Sequence, residues 1–219
     1  MIRLNQIKIE YVSLYDKLCG QIDDPKAEKT FLMEYVAKKL KCDTEKMKSF
    51  RILKRSIDAR RKPEKIYYVY AVWFAYDDEE SLIKKNASLK DLSRIEKTPL
   101  YESRLKPVRM GAEKKIVIVG AGPCGLFCAY ALALRGLKPI IIERGAPMEE
   151  RIEDVERFFE EGHLNTQSNV CFGEGGAGTF SDGKLNSGVK DLDGSKRFIL
   201  ETFARYGAPK SIIYDAMPH

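Results

Sequence analysis

The sequence lacks several features that define whole classes of protein. Its first 110 residues hold a single glycine, Gly20, and the other fifteen of its 16 glycines lie in the second half. No apolar run approaches the roughly 20 residues that cross a bilayer, and the start, MIRLNQIKIE, lacks the basic and then apolar layout of a signal peptide. We therefore expect a cytoplasmic protein with no membrane segment, built from two domains of different composition.

Patterns typical of metal sites and disulfide scaffolds are also missing. The five cysteines are odd in number and show no CxxC spacing, and the sequence has only two histidines. We therefore expect neither a structural zinc site nor a disulfide framework, and we assign no metal ligand. Cys124, Cys128 and Cys171 are predicted to be small buried hydrophobic residues, as free cysteines often are.

Positive charge is concentrated in the front half. Residues 1–113 hold 25 Lys and Arg against 18 Asp and Glu, a net charge of +7, whereas residues 114–219 hold 13 against 14, a net charge of −1. Cations alternate with aromatic residues in FRILKRSIDARRKPEKIYYVYAVWF, as in a sheet that stacks bases, but an ordinary half-buried strand pair shows the same pattern. Because no RNP1-like string is present, we expect a structural or substrate-shielding role and no nucleic-acid partner.

The front half has the pattern of a small α+β domain. Alternation and helical periodicity predict the order β-α-β-β-α-β, which fits a ferredoxin-like domain over residues 1–105, followed by a linker over residues 106–113. The predicted elements are, in order, RLNQIKIE, KAEKTFLMEYVAKKLK, SFRILKRSIDAR, KIYYVYAVWFAY, DDEESLIKKN and a last strand near Leu89 to Glu96.

The fourth of these elements has two very different faces. Alternation puts Ile66, Tyr68, Tyr70, Val72, Phe74 and Tyr76 on one side of the strand KIYYVYAVWFAY, and Tyr67, Val69, Ala71, Trp73 and Ala75 on the other. At least one of the two sets must face a core. The pattern leaves the choice between them open.

Three glycines follow a short apolar strand in IVIVGAGPCGLFCAYALALRGLKPIIIERG. Gly120, Gly122 and Gly125 have GxGxxG spacing between IVIV and a helix that begins at Pro123 and stops at Gly136. In a dinucleotide fingerprint the first glycine permits a tight turn, the second lets the main chain approach a pyrophosphate, and the third lets the helix lie close to its strand. The free N–H groups at the helix start would then face the phosphates. The predicted cofactor residues here are Gly120, Ala121, Gly122, Pro123, Cys124 and Gly125.

An acidic residue ends the next predicted strand. Glu143 follows PIII, 23 residues after Gly120, close to where a carboxylate accepts hydrogen bonds from ribose hydroxyls. An acid at this place would repel a 2′-phosphate, which favours FAD or NAD over NADP, although Arg144 beside it weakens that choice. We include both Glu143 and Arg144 in the predicted cofactor site.

A second glycine-rich stretch, SNVCFGEGGAGTFSDGKLNSG, begins about fifty residues after the first. A simple nicotinamide enzyme has no obvious need for it, whereas in a flavoprotein its glycines would let the main chain fold against the ring or the pyrophosphate. A positive charge from Lys184 near the flavin would stabilise its anionic reduced form. The alternative is a solvated loop with helix-capping residues. The predicted cofactor residues here are Gly175, Gly176, Ala177, Gly178, Thr179, Ser181, Asp182 and Lys184.

Two helices flank this second stretch. MEERIEDVERFFEEG predicts a helix with Ile152, Val155, Phe158 and Phe159 facing inward and Gly162 capping its end in the left-handed conformation. SKRFILETFARYGAP predicts another helix after the loop. Together with the fingerprint they predict an α/β Rossmann-like domain over residues 114–219.

These segments resemble the bacterial FAD-dependent dehydrogenase-like proteins, an NAD(P)/FAD-dependent oxidoreductase family among the flavoproteins with two dinucleotide-binding domains. The resemblance is carried by IVIVGAGPCGLFCAYALALRGLKPIIIERG, by EERIEDVERFFEEGHLNTQSNVCFGEGGAGTFSDGKLNSGVKD and by YGAPKSIIYDAMPH. It runs from about residue 107 to the end. The front half is similar to the N-terminal region of the same family, most closely in RILKRSIDARRKPEKIYYVYAV.

The resemblance implies noncovalent FAD, with Gly120, Gly122 and Gly125 at the pyrophosphate, Glu143 at the ribose and residues 175–184 close to the flavin. It also implies an FAD-dependent oxidoreductase activity, with NAD(P)H as a candidate electron partner and an unknown substrate. Family members continue well beyond AMPH, so we expect the Rossmann-like domain to be incomplete and this chain to be inactive alone. No catalytic residue is assigned.

Two other functions remain open from the sequence. One is a binding module without turnover, in which the basic front domain holds nucleic acid and the glycine fold senses a nucleotide. The other is an NAD-linked dehydrogenase.

Overall fold

A computed structural model describes residues 1–21, 24–60, 65–96, 101–109, 111, 115–185 and 190–216. Its contacts divide the chain into two units, one formed by residues 1–98 with residues 200–218 and the other by residues 99–199. Part of the predicted linker, residues 110, 112 and 113, lies outside the described residues. None of the described helices is long and apolar enough to cross a membrane.

The first unit is built on one antiparallel sheet with the strand order β2-β3-β1-β4. Its elements are β1 Ile2–Glu10, α1 Tyr11–Lys17, α2 Pro25–Leu40, β2 Met47–Asp58, β3 Tyr67–Tyr76, α3 Glu79–Lys85 and β4 Leu92–Arg94. The strands and helices that the sequence predicts for residues 1–96 are confirmed, with ends displaced by a few residues. Helix α1 was not predicted.

Helix α2 shows how local sequence positions these elements. Asp24 caps its start, where its side chain accepts a hydrogen bond from the N–H of Lys26, and Pro25 occupies the first helical position, which has no need of a backbone donor. Leu32, Val36 and Leu40 lie on one stripe and are fully buried. The helix therefore covers one face of the sheet.

The core of the first unit lies on that covered face. It includes apolar residues of three strands and three helices. Tyr68, Tyr70, Val72, Phe74 and Tyr76 of β3 belong to it or pack against it. The other set of β3 residues, from Tyr67 to Ala75, points to the opposite face. The structure thereby decides which side of the strand is buried.

Residues 200–218 belong to the first unit, whereas the sequence predicted that they are part of the second domain. The reason is hydrogen bonding along the outer edge of β2. The N–H of Arg55 donates to the carbonyl of Tyr214 at 2.7 Å, and the N–H of Ala216 donates to the carbonyl of Arg55 at 2.8 Å. Ile212 is buried beside them. These contacts hold the segment against the sheet.

A buried ionic network accompanies this edge. Glu28, only 1% exposed, accepts hydrogen bonds from Arg55 at 3.0 Å and from the hydroxyls of Tyr70 and Tyr214 at 2.7 Å each. Arg55 also donates to both carboxylate oxygens of Asp215, at 2.7 and 3.2 Å. Burial alone would lower the pKa of Arg55, but the hydrogen bonds to Asp215 and the charge of Glu28 outweigh it and raise that pKa. The guanidinium therefore stays charged.

The second unit contains a β-α-β arrangement followed by helices. Its elements are β5 Val117–Val119, α4 Pro123–Leu134, β6 Ile140–Ile142 and α5 Met148–Glu161, and α6 Ser195–Arg205 crosses the boundary between the units. Strands β5 and β6 pair in parallel, with Val117 opposite Ile140 and Val119 opposite Ile142. The predicted strand, helix and strand of the glycine fingerprint are therefore confirmed as local elements.

The predicted inward face of α5 is wrong in part. Val155 is buried as expected, but Ile152 is 41% and Phe159 72% exposed. Arg151 is fully buried in their place. Arg151 shares the buried side of the helix with Val155, and its guanidinium donates hydrogen bonds to carbonyl groups there, as described below. Gly162 ends the helix in the left-handed conformation, as predicted.

The expectation that Cys124, Cys128 and Cys171 are buried is also wrong, because all three are exposed. Helix α4 has no buried residue at all along Pro123–Leu134. Only two short strands, β5 and β6, form a sheet in the described part of this unit, and they cover too little of the helix to bury its cysteines.

Candidate functional site

The three glycines of the fingerprint differ in the reason why each must be glycine. Gly120 has φ +101°, a backbone conformation that residues with side chains rarely adopt. At Gly125, a Cβ atom would overlap the carbonyl oxygen of Gly120, so the helix could not approach the turn. At Gly122, φ is −74°, and a Cβ atom would have no neighbour within 4 Å. The protein itself therefore explains two of the three glycines.

Gly122 faces open space at the start of α4. It is the N-cap residue of that helix, and Pro123 follows at the first helical position. The first N–H groups of a helix have no carbonyl partner within it, and they carry the positive end of its dipole. An anion that approached these groups would come close to the α-carbon of Gly122. A side chain would fill that space, so the site fits a ligand that contacts the main chain.

Glu143 lies directly beside this turn. It follows β6, and its carboxylate accepts hydrogen bonds from the N–H groups of Ala121 at 2.6 Å and of Gly145 at 3.0 Å. These two bonds, that of Ala121 first, hold the pKa of the carboxyl below its ordinary value. A carboxylate has about four lone-pair positions, so acceptor capacity remains for a ligand hydroxyl. The predicted ribose acceptor thus also holds the glycine turn in place.

The second glycine-rich stretch folds onto the first, although about fifty residues separate them in the sequence. The N–H of Gly175 donates to the carbonyl of Ala121 at 2.9 Å. A Cβ atom at Gly176 would lie only 3.0 Å from the Cδ of Pro123 and 3.2 Å from the α-carbon of Gly122. Gly175 and Gly176 both have positive φ, at +87° and +72°. Main chain therefore packs on main chain here, and side chains at these positions would separate the loops.

The side chain of Arg151 stabilises the second glycine-rich loop through hydrogen bonds to its main chain. Its guanidinium donates to the carbonyls of Asn169 at 3.0 Å, Val170 at 2.9 Å and Glu174 at 2.6 Å. It also lies over the ring of Phe180, 4.9 Å from its centroid. Burial lowers the pKa of Arg151, and the charge of Glu143 partly opposes this effect. Arg151 is not among the residues that the sequence predicted for this site.

Two further glycines that were not predicted let the loops meet. A Cβ atom at Gly145 would lie 2.5 Å from the α-carbon of Gly173, and one at Gly173 would overlap the side chain of Arg151. Glu174 closes the arrangement, since its carboxylate accepts a hydrogen bond from the N–H of Met148 at the start of α5. In the sequence, the glycines at positions 145 and 173, one after Glu143 and one before Gly175, are the features from which this packing could have been predicted.

Other predicted residues have partners of their own. Lys184 is exposed and forms an ion pair with Asp182, and the hydroxyl of Ser181 donates to the carbonyl of Gly178 at 2.8 Å. Ala177–Phe180 forms one turn of 3₁₀ helix, so Ala177 and Thr179 belong to a tight turn. The guanidinium of Arg144 lies 3.9 Å from the ring centroid of Phe172. The roles of Lys184 at a flavin and of Arg144 at an adenosine stay predictions.

Among the described residues, no group of three or more His, Cys, Asp or Glu side chains lies close enough to hold a metal ion.

Comparisons with known proteins divide the chain in a similar way. Residues 100–148 match the Thi4 family, a flavin-dependent family with a Rossmann-like fold. This range contains β5, α4, β6 and Glu143. Residues 1–75 match a different model, a domain of unknown function named DUF8436. The match to a flavin-dependent family therefore covers the glycine turn, while the front unit matches a different model.

One relative covers most of the chain. An uncharacterized protein of Clostridium beijerinckii is 40% identical over 194 residues, which make up 86% of this chain and 34% of the relative. The chain thus spans about a third of the length of that relative.

Proposed function

We propose that the second unit binds FAD and that the chain is part of an FAD-dependent oxidoreductase. The observation that carries this proposal is the open space at Gly122, which the protein has no internal reason to keep free of a side chain. The similarity of residues 100–148 to the flavin-dependent Thi4 family supports a flavin over NAD alone. We also propose a two-domain architecture, with a ferredoxin-like N-terminal domain followed in the sequence by a Rossmann-like domain. The strand orders β2-β3-β1-β4 and β5-β6 support this architecture.

Each part of the candidate site suits one part of the cofactor. The turn from Gly120 to Gly125, at the positive end of α4, would hold the diphosphate. Glu143 would accept hydrogen bonds from the ribose, and the loop from Gly175 to Lys184 would lie against the flavin. FAD would supply hydride and single-electron transfer, while the residues of this chain bind and orient it. NAD(P)H is the proposed electron partner, and the substrate belongs to an unassigned class.

A pair of matched variants tests the proposal. Gly122→Val would place a side chain where the diphosphate approaches, while Gly111→Val makes the same change at another glycine with no atom within 4 Å of a Cβ position. Losing two charge-assisted hydrogen bonds costs about 3 kcal/mol or more, which is about two orders of magnitude in affinity. We expect Gly122→Val to emerge from gel filtration without flavin absorbance, while Gly111→Val keeps the flavin content of the unchanged full-length protein.

Stability must be measured alongside binding. Valine at an N-cap costs about 1 kcal/mol, so the melting temperature of Gly122→Val without cofactor should fall only slightly. Gly122→Ala adds one methyl group in open space and serves as the milder variant. If both variants hold FAD as tightly as the unchanged protein, the diphosphate does not bind at this turn. If the full-length protein binds NAD and never FAD, the cofactor assignment is wrong.

A further inference from the structure

The sheet of the first unit has an open face with an unusual composition. The core cluster lies on the other face, against α1, α2 and α3. Register pairs place residues of three neighbouring strands together on the open face. They include Arg3 of β1, Arg51 and Lys54 of β2, and Tyr67 and Trp73 of β3.

One row across this face combines an indole with two guanidinium groups. Trp73 on β3 is paired in register with Arg51 on β2 and with Arg3 on β1. The Cζ atom of Arg51 lies 5.4 Å from the centroid of the Trp73 ring. Arg3 is exposed, and its Nε donates to the side chain of Asn5. A flat aromatic surface is therefore flanked by positive charge on both neighbouring strands.

A second aromatic residue with a cation lies six residues earlier on β3. The Nζ atom of Lys8 lies 4.2 Å from the centroid of the Tyr67 ring, and it also pairs with Asp58 at 3.0 Å. Tyr67 and Trp73 are on the same face because their positions differ by an even number. At about 3.4 Å per residue, their α-carbons are roughly 20 Å apart. A ligand that contacts both rings must be an extended polymer.

The unpaired charge on this face is positive. The carboxylates of Glu10 and Asp58, which pair in register with Tyr67, are already in ion pairs, Glu10 with Lys65 and Asp58 with Lys8 and Arg60. Arg3, Arg51 and Lys54 form no ion pair within the described part of the chain. The cations are thus free to contact a polyanion. Base stacking on aromatic residues beside backbone cations is how open sheets bind single strands.

We infer that this face, defined by Arg3, Arg51, Lys54, Tyr67 and Trp73, binds single-stranded nucleic acid. The inference is independent of the FAD site, and it reverses the expectation drawn from the sequence. That expectation rested on the absence of an RNP1-like string and on an undecided choice between the two sides of β3. The structure assigns Tyr68, Tyr70 and Phe74 to the core, so that Trp73 and Tyr67 share the open face with the cations.

The test uses a labelled single-stranded oligonucleotide, RNA and DNA in parallel, with the full-length protein in fluorescence anisotropy. Arg3→Gln with Arg51→Gln removes two cations from the open face. Lys38→Gln with Lys39→Gln removes two exposed cations from α2, which covers the other face. Each phosphate contact contributes about 0.7 to the slope of log affinity against log salt. The first pair should therefore flatten that slope by about 1.4, and the second should leave it unchanged.

Stacking of bases on Trp73 can be measured separately through its fluorescence, because it is the only tryptophan in the sequence. Its fluorescence should be quenched as the oligonucleotide is added, but not as polyglutamate of similar charge is added. Trp73→Leu keeps an apolar cover on the sheet and should weaken binding about tenfold. Absence of binding at low salt, equal binding of polyglutamate, or equal losses in the two double variants would each overturn the inference.

Discussion

Replacing Arg55 by methionine gives the sharpest test of how the first unit is held together. The substitution keeps a long apolar side chain but removes the ion pairs with Glu28 at 3.0 Å and with Asp215 at 2.7 Å. The side chain of Glu28 is only 1% exposed, so its carboxylate would stay buried with two tyrosine hydroxyls as its described partners. Removing one partner of a buried pair costs about 3 to 5 kcal/mol.

We expect the lower end of that range, about 3 kcal/mol. Burial first, and the charge of Glu28 second, raise the pKa of the Tyr70 and Tyr214 hydroxyls, so both remain protonated and continue to donate. Since a domain of this size is stable by about 5 to 15 kcal/mol, the loss is large but leaves it folded. Urea unfolding followed through Trp73 fluorescence measures it directly, because the single tryptophan lies in this unit.

Two controls separate the buried charge from a general effect of the substitution. Lys54→Met changes the neighbouring exposed cation and should cost less than about 0.5 kcal/mol. Glu28→Gln combined with Arg55→Met should be more stable than Arg55→Met alone, since it removes the unpaired charge. If Arg55→Met costs less than about 1 kcal/mol, or if Glu28→Gln gives no recovery, the network does not stabilise the unit.

Two further predictions concern the second unit. Arg151→Met should destabilise this unit by about 3 kcal/mol and speed proteolysis between residues 168 and 180, because three carbonyl groups lose their hydrogen-bond donor. Arg157→Met changes an exposed residue on the same helix and should have neither effect. The stability that Glu143 gains from a lowered pKa is present above its unfolded pKa of about 4.3 and is lost as the pH falls through the lower folded value. The difference in unfolding free energy between the unchanged protein and Glu143→Gln should therefore shrink as the pH is lowered below about 5, and a constant difference would contradict this reasoning.

The glycine turn could be predicted because its chemistry depends on residues close in sequence. A strand, three glycines at fixed spacing and an acid after the next strand are all local features, and the structure has each of them in place. The contact between the two glycine loops could not be predicted, because it depends on Arg151. One arginine among the glutamates of α5 has the pattern of an exposed helix surface. Only the tertiary fold shows that three carbonyls of the second loop converge on it.

The buried network of the first unit was hidden from the sequence for a different reason. Strict alternation along β2 from Ile52, which is in the core, would turn Lys54 inward and Arg55 outward. The register shifts between Ile52 and Lys54, so one residue is inserted and Arg55 faces the core opposite Tyr70. A one-residue bulge exchanges the two faces of a strand from that point onward. It thereby brings a guanidinium to Glu28 and leaves Lys54 on the open face.

A one-residue bulge also occurs in β1, and there the sequence pattern indicates it. Ile2 and Leu4 alternate, and so do Ile7 and Ile9, but the two pairs are out of phase by one residue. All four are in the core because the register shifts between Leu4 and Ile7, where Gln6 has φ +51°. Two apolar runs separated by an odd step therefore predict a bulge when both must face one core. In β2 the residue after the shift is an arginine, which carries no such apolar signal, and the inward charge could be found only from the structure.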